Sequence, residues 1–163
     1  MKRIPMKQLD DRFGVARRRI LLSLAALPLG TVRAAAGKTS MEVWKDPNCG
    51  CCKNWGARLE AGDFTVKTHD TGNSAIRHKL GMPVKYGACH TAIVDAYVIK
   101  GHVPARAIHR LLKEKPNALG LAVPGMPAGS PGRDGAAYGG RKDAYDVLLV
   151  ARDGTATVFH GYR

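Results

Sequence analysis

Along the chain from Met41 to Lys115 the spacing of apolar residues switches repeatedly between a period of two and a helical period. Met41-Glu42-Val43-Trp44 alternates as a strand does, and Lys53 to Ala61 then reads as a helix with Trp55 and Leu59 on one face, ended by Gly62. Phe64 to Thr68 predicts a second strand, and Asn73 to Leu80 a second helix with Asn73 or Ser74 as its cap. Thr91 to Val94 and Tyr97 to Ile99 are short β-type runs separated only by Asp95-Ala96, the spacing of a tight hairpin. Pro104 opens a third helix to about Lys113, with Ile108, Leu111 and Leu112 as its apolar stripe and Lys113 and Lys115 near its negative end.

The resulting order is β-α-β-α-β-β-α. A cysteine cluster stands between its first strand and first helix, and order and cluster together predict an α/β fold of the thioredoxin-like type. Pro116 to Gly140 is rich in Gly, Pro and Ala and reads as one long loop, stiffened by its prolines into an ordered lid. Tyr145 to Val150 and Thr155 to Phe159 flank the turn residues Arg152-Asp153-Gly154 and predict a C-terminal β-hairpin on the core or its edge.

Residues 1–36 follow a different logic. Arg17-Arg18-Arg19 precedes an apolar run from Ile20 to Leu29 and the small residues Ala34-Ala35-Ala36, the make-up of an export signal peptide cleaved near Gly37. The arginines followed by Ile20-Leu21 also resemble a twin-arginine signal, so either the general or the twin-arginine route fits. The apolar run is shorter than the roughly 20 residues of a membrane span, and no later segment approaches that length. The mature chain, residues 37–163, is therefore expected to be one soluble domain in an oxidising compartment outside the inner membrane.

Removing that segment changes the charge picture. The full chain carries a formal +13, but residues 1–36 hold 8 basic and 2 acidic side chains, leaving 18 and 11 and a net +7. The remaining Lys and Arg are scattered without interleaved aromatics, which argues against a nucleic-acid partner.

The chemistry lies in four cysteines. Cys49, Cys51 and Cys52 fall within four positions and Cys89 stands alone. The head of a helix favours thiolate over thiol, Gly50 permits the tight path around the turn, and Pro47 restricts its entry. Cys49 and Cys52 have the spacing of a thiol–disulfide site, in which the more exposed Cys49 attacks and Cys52 resolves. Cys51 adds nothing to that exchange but raises the soft-ligand count to three. In a thioredoxin-like domain the segment before the third strand lies against the first helix's start, so Cys89 would bring a fourth sulfur. Four thiolates suit one tetrahedral Zn or, by bridging, several Cu(I) ions, and the crowding of Cys51 against Cys52 fits bridging better. Two stapling disulfides are the remaining use of four exported thiols.

His90 adjoins Cys89 as an auxiliary ligand, although strand alternation should turn it to the opposite face. His102 is placed either to assist the site or to cap the helix opened by Pro104. Met126 in the Gly/Pro loop offers a thioether to Cu(I) or an apolar plug, and Met82 before Pro83 is ambiguous in the same way. His69, His78, His109 and His160 read as surface residues.

Four motifs in order carry a resemblance: Asp46-Pro47-Asn48-Cys49-Gly50-Cys51-Cys52-Lys53-Asn54-Trp55, Ala88-Cys89-His90-Thr91-Ala92, Gly101-His102-Val103-Pro104-Ala105, and Gly120 to Gly132. Together they resemble the CopG-type copper-resistance proteins of the bacterial envelope. The resemblance implies a thioredoxin-like, periplasmic protein that binds copper as a Cu(I) cluster and interconverts copper oxidation states in detoxification, as a copper oxidoreductase would, alongside other envelope copper-handling proteins. Carried over by motif, the ligands are Cys49, Cys51, Cys52 and Cys89, with His102 and Met126 auxiliary. Asp95-Ala96 departs from the Asp-Gly turn expected of the family, which concerns a hairpin and not the site.

Overall fold

A computed structural model describes residues 37–163; the export-signal expectation for residues 1–36 lies outside the described residues. Seven strands form one sheet in the order β2-β1-β3-β4-β5-β6-β7. They are β1 (Thr39–Lys45), β2 (Phe64–His69), β3 (His90–Val94), β4 (Tyr97–Lys100), β5 (Gly120–Ala122), β6 (Tyr145–Val150) and β7 (Ala156–Tyr162). Three α-helices connect them: α1 (Gly50–Glu60), α2 (Ser74–Lys79) and α3 (Ala105–Glu114).

The β-α-β-α-β-β-α order is present, and the molecule is an α/β structure of the thioredoxin-like type. β1 and β2 run parallel through the α1 crossover, β3 returns antiparallel to β1, and β3 and β4 make the hairpin anticipated at Asp95-Ala96. Among the described residues no helix is long and apolar enough to cross a membrane.

Strand alternation divides the interior in two. Ile99 and Leu121 join Met41, Val43, Trp55, Leu59, Ile108 and Leu111 in the larger core, while their neighbours Val98 and Ala122 join Met82, Tyr86 and Val150 in the smaller one. Successive strand residues thus feed opposite faces of the sheet. α1 and α3 cover one face with the stripes predicted for them, and the segment around Met82 and Tyr86 covers the other. Met82 is accordingly a core residue, 3% exposed. Each fully buried Leu or Ile here contributes about 1.5–3 kcal/mol relative to exposure.

Two expectations need correction. Pro116 to Gly140 is not one loop, because Gly120–Ala122 forms β5, parallel to β4 and antiparallel to β6. That pairing carries the C-terminal hairpin, β6 and β7, as the outer strands of the same sheet. Asn73 stands at the N-cap of α2 but makes no capping side-chain bond. Its amide is engaged elsewhere, as described below.

Candidate metal centre

The cysteine cluster is built by the turn that leads β1 into α1. Asp46 Oδ1 accepts the Asn48 N–H at 3.0 Å, and the Asp46 carbonyl accepts the Cys49 N–H at 3.0 Å. Cys49 is the N-cap of α1 without a side-chain capping bond, and Cys51 and Cys52 lie inside the first turn. The helix therefore begins within the cluster rather than after it. No acidic residue occupies that turn, so its positive end is left facing the sulfurs. Cys49 and Cys52 are joined as a disulfide, whereas Cys51 and Cys89 are free. The two-disulfide staple is thus not formed. Cys52 is buried and Cys49 is half-buried.

Cys89 arrives from the bend preceding β3, held by a buried lysine. Lys100 Nζ donates to the Ala88 carbonyl at 2.9 Å, to Thr91 Oγ1 at 3.1 Å and to Asn73 Oδ1. Three acceptors match the three N–H donors of an ammonium. Asn73 Nδ2 donates in turn to the Cys89 carbonyl at 3.0 Å, which is why that side chain does not cap α2. Burial, aided by Arg77, lowers the Lys100 ammonium to about 8 against the pull of Cys89. Gly101, at φ +75, is obligatory here: a Cβ on it would fall 2.3 Å from the Val123 carbonyl oxygen and 2.8 Å from Ala88 Cβ.

The four sulfurs meet. Cys51 Sγ lies 3.6 Å from Cys49 Sγ and 3.9 Å from Cys89 Sγ, and all four sulfurs fall within 4.8 Å of one another. Two thiolates on one tetrahedral ion, with bonds of about 2.3 Å, stand about 3.8 Å apart. The Cys49–Cys51 and Cys51–Cys89 pairs have that spacing, and reducing the disulfide with two electrons and two protons frees Cys49 and Cys52 to bring the soft donors at this place to four, so the residues fit a thiophilic metal. Burial, reinforced by Cys51, pushes the Cys89 thiol up to about 12. Metal uptake at Cys89 must therefore displace a proton.

Both candidate histidines lie beside Cys89. Cys89 Sγ is 3.3 Å from His102 Nε2 and 3.5 Å from His90 Nδ1. The expectation that His90 faces away fails because Cys89 sits in a bend before the strand, where alternation has not begun. Nor does His102 cap α3; Pro104 holds the N-cap position and His102 Nδ1 is 3.2 Å from Ser130 Oγ. Burial, with Arg133, lowers His102 to about 4, and burial, with the His102 and Lys100 charges, holds His90 well below its usual value. Trp55 stacks on His90 with ring centroids 4.0 Å apart and donates Nε1–H to the Val103 carbonyl at 2.9 Å. Of the four histidines read as surface residues, His78, His109 and His160 are exposed and His69 is half-buried.

The Gly/Pro segment is indeed seated on the helix head. Gly132, at φ +86, lies where a Cβ would come 2.6 Å from the Cys51 carbonyl oxygen and 2.7 Å from Trp55 N. Asp143 Oδ2 anchors the segment by accepting the Ala128 N–H at 2.9 Å. Met126 is 36% exposed in this segment, with backbone at φ +107. Lys100, Asn73 and Ser130 are the participants that sequence reasoning missed. A lysine closing a strand and a serine among glycines and prolines carry no signal of burial.

Comparison with known proteins places the chain in a family. The family described as a protein of unknown function, DUF411, matches residues 86–133, a span holding Cys89, His90, His102 and the Gly/Pro segment. No protein of curated function matches. A solved structure of copper resistance protein copG, form 1, is 44% identical, with 77% of this chain and 98% of that chain covered and a TM-score of 0.71. Its form 2 is 43% identical with the same coverage and a TM-score of 0.70. With that identity across almost the whole length of the related chain, the protein belongs to the CopG-type copper-resistance family.

Proposed function

We propose that this is an exported, periplasmic copper-binding protein that takes up Cu(I) on the thiolates of Cys49, Cys51, Cys52 and Cys89. Copper is its cargo, held as a multinuclear, sulfur-bridged cluster and handled in copper resistance, with interconversion of Cu(I) and Cu(II) and exchange with other envelope copper proteins as its wider role. The observation that carries the reading is the convergence of four sulfurs within 4.8 Å at a helix head without acidic residues. The likeness to two structures of a copper resistance protein supports copper over zinc. His102, His90 and Met126 are auxiliary, and residues 1–36 are the export signal.

A competition titration with a chromophoric Cu(I) chelator tests this reading. The fully reduced protein is expected to take up more than one Cu(I), and Cys51→Ser and Cys89→Ser each to lower both stoichiometry and affinity, the latter by at least about tenfold. No stoichiometric uptake, or a Cys51→Ser variant indistinguishable from the parent, would sink the cluster.

The disulfide between Cys49 and Cys52, with Cys49 the more accessible, favours one second reading: a thiol–disulfide oxidoreductase. Disulfide reduction or isomerisation that survives loss of both Cys51 and Cys89 would select it.

A further inference from the structure

The sheet ends in two edge strands, and only one of them is closed to further pairing. β7 is broken by a bulge, since Val147 stands opposite His160 while Leu148 stands opposite Val158, leaving Phe159 unpaired with β6. Arg110 Nη1 then donates to the Phe159 carbonyl at 2.8 Å. Bulges and charged groups of this kind are how proteins blunt a sheet edge. β2 has neither. It pairs with β1 through six consecutive residues without a slip, no strand lies on its outer side, and Thr65, Lys67 and Thr68 along it are exposed. Lys67 leans to Glu42, 4.0 Å away, on the face of the sheet turned from α1.

Behind that open edge, α1 and β2 flank a cleft of about 510 Å³. Val66 and Thr68 line it from β2, and Lys53, Gly56, Ala57 and Glu60, at the i, i+3, i+4, i+7 spacing of one helix face, line it from α1. Gly56 stands there without a reason of fold. A Cβ on it would meet nothing closer than Val66 Cγ1 at 3.9 Å, and its φ is not positive, so the glycine only weakens the middle of α1. Its effect is to keep the cleft open. The charges at the two ends of that helix face are unmatched. Lys45 and Asp70 at the cleft pair with each other at 2.6 Å, whereas neither the Lys53 ammonium nor the Glu60 carboxylate has an ion-pair partner among the described residues. Lys38 meets Glu60 only at its backbone carbonyl, at 3.3 Å.

We propose that the outer edge of β2 and the cleft behind it form a docking site for an extended segment of a partner protein, added to the sheet as a further strand with an acidic side chain on Lys53 and a basic one on Glu60. Strand addition takes affinity from main-chain hydrogen bonds and specificity from side chains that reach a pocket. Lys53 and Glu60 stand about 10.5 Å apart along the helix axis, at 1.5 Å per residue. About three to four residues of extended chain cover that distance, so two charges on one face of such a segment answer both. A second copy of this chain is the poorer occupant, because its own β2 carries Lys67 and no acidic residue to set against Lys53. Cys52 borders the cleft, so the partner is held beside the first turn of α1, where the cysteines stand. The docking site goes beyond the copper reading and stands without it.

Amide NMR of full-length, metal-free protein in its disulfide form is the test. The probes are two capped heptapeptides of valine and threonine with an aspartate and a lysine four positions apart, in opposite orders, and the control has lysine at both positions. One of the two orders is expected to shift the amide signals of β2 and of Lys53 to Glu60 and to slow hydrogen exchange at alternate β2 amides. The two-lysine control is expected to bind at least about tenfold more weakly. Lys53→Glu and Glu60→Lys each weaken the favoured peptide by at least about tenfold, and the two together invert the preference between the orders. Gly56→Gln weakens it to the same extent without lowering Tm, which a damaged fold would lower. Absence of β2 protection with either peptide, equal binding of the two-lysine control, or charge variants without effect would overturn the site. So would β2 protection that rises with protein concentration in the absence of peptide, the mark of a second copy. The peptides hold neither thiol nor copper, so failure here with intact Cu(I) uptake overturns only this proposal, and loss of Cu(I) uptake with intact peptide binding overturns only the four-sulfur cluster.

Discussion

The sulfur of Cys51, in the first turn of α1, lies 3.9 Å from the sulfur of Cys89, 38 residues further along the chain. Cys51 also lies 3.6 Å from Cys49, so it bridges the helix cluster and the segment before β3. If both sulfurs serve one bound species, their losses cannot be independent. Cys51→Ser and Cys89→Ser combined are expected to lower Cu(I) affinity by clearly less than the product of the single effects, a coupling of about 0.5–3 kcal/mol in a double-mutant cycle. Strict additivity, measured by chelator competition, would show that the two sulfurs do not share copper.

The Lys100 ammonium is a structural clamp whose removal strands its acceptors. Lys100→Met leaves the Ala88 carbonyl and Thr91 Oγ1 without the buried ammonium that donates to them, and Asn73 Oδ1 with only the Thr91 hydroxyl, 3.3 Å away. The metal-free protein is expected to lose about 1–3 kcal/mol in urea unfolding, and Cys89, whose carbonyl depends on Asn73, to become more reactive toward alkylation. Unchanged stability and unchanged Cys89 reactivity would remove Lys100 from the account.

How much of this was legible in the sequence follows from what each residue's neighbours reveal. Trp55, Leu59, Ile108 and Leu111 repeat at helical spacing because α1 and α3 each bury one stripe, so the helices and their inner faces can be read directly. The clustering of Cys49, Cys51 and Cys52 is equally local. β5 is not, since Gly120-Leu121-Ala122 has no alternation and becomes a strand only because β4 and β6 pair with it. Lys100 ends a strand as a solvated lysine would, and its burial depends on Asn73 and Ala88, far from it in sequence. His90 was misdirected by strand alternation because the strand begins one residue later than Cys89.

Gly132 sets how closely the Gly/Pro segment seats on α1. A Cβ there meets backbone atoms of Cys51 and Trp55 at 2.6 and 2.7 Å, which cannot yield without moving the helix, and the φ of +86 is itself strained for any other residue. Gly132→Ala is expected to cost about 2 kcal/mol or more in unfolding free energy and to quicken alkylation of Cys51. Gly135→Ala, with nothing within 4 Å of its Cβ, serves as the neutral control. Equal stability of the two variants would contradict the close seating.

Buried His102 makes the metal-free fold acid-sensitive. Its folded value of about 4 lies below the ordinary 6.5, so between those values the unfolded chain binds more protons than the native one. The stability it contributes is full above pH 6.5 and falls as pH drops towards 4, by up to about 1.4 kcal/mol per pH unit. Thermal melts of metal-free protein are expected to show Tm falling from pH 7 to pH 5, with a shallower fall in His102→Gln. Identical slopes in parent and variant would contradict a neutral buried His102.

Residue-resolved alkylation of the reduced protein, with and without bound Cu(I), tests the joint capture of copper by four sulfurs most directly. Copper is expected to protect Cys49, Cys51, Cys52 and Cys89 together, with each alkylated at least about tenfold more slowly than in the metal-free protein. Alkylation of Cys51 or Cys89 at the metal-free rate while the remaining cysteines are protected would contradict it.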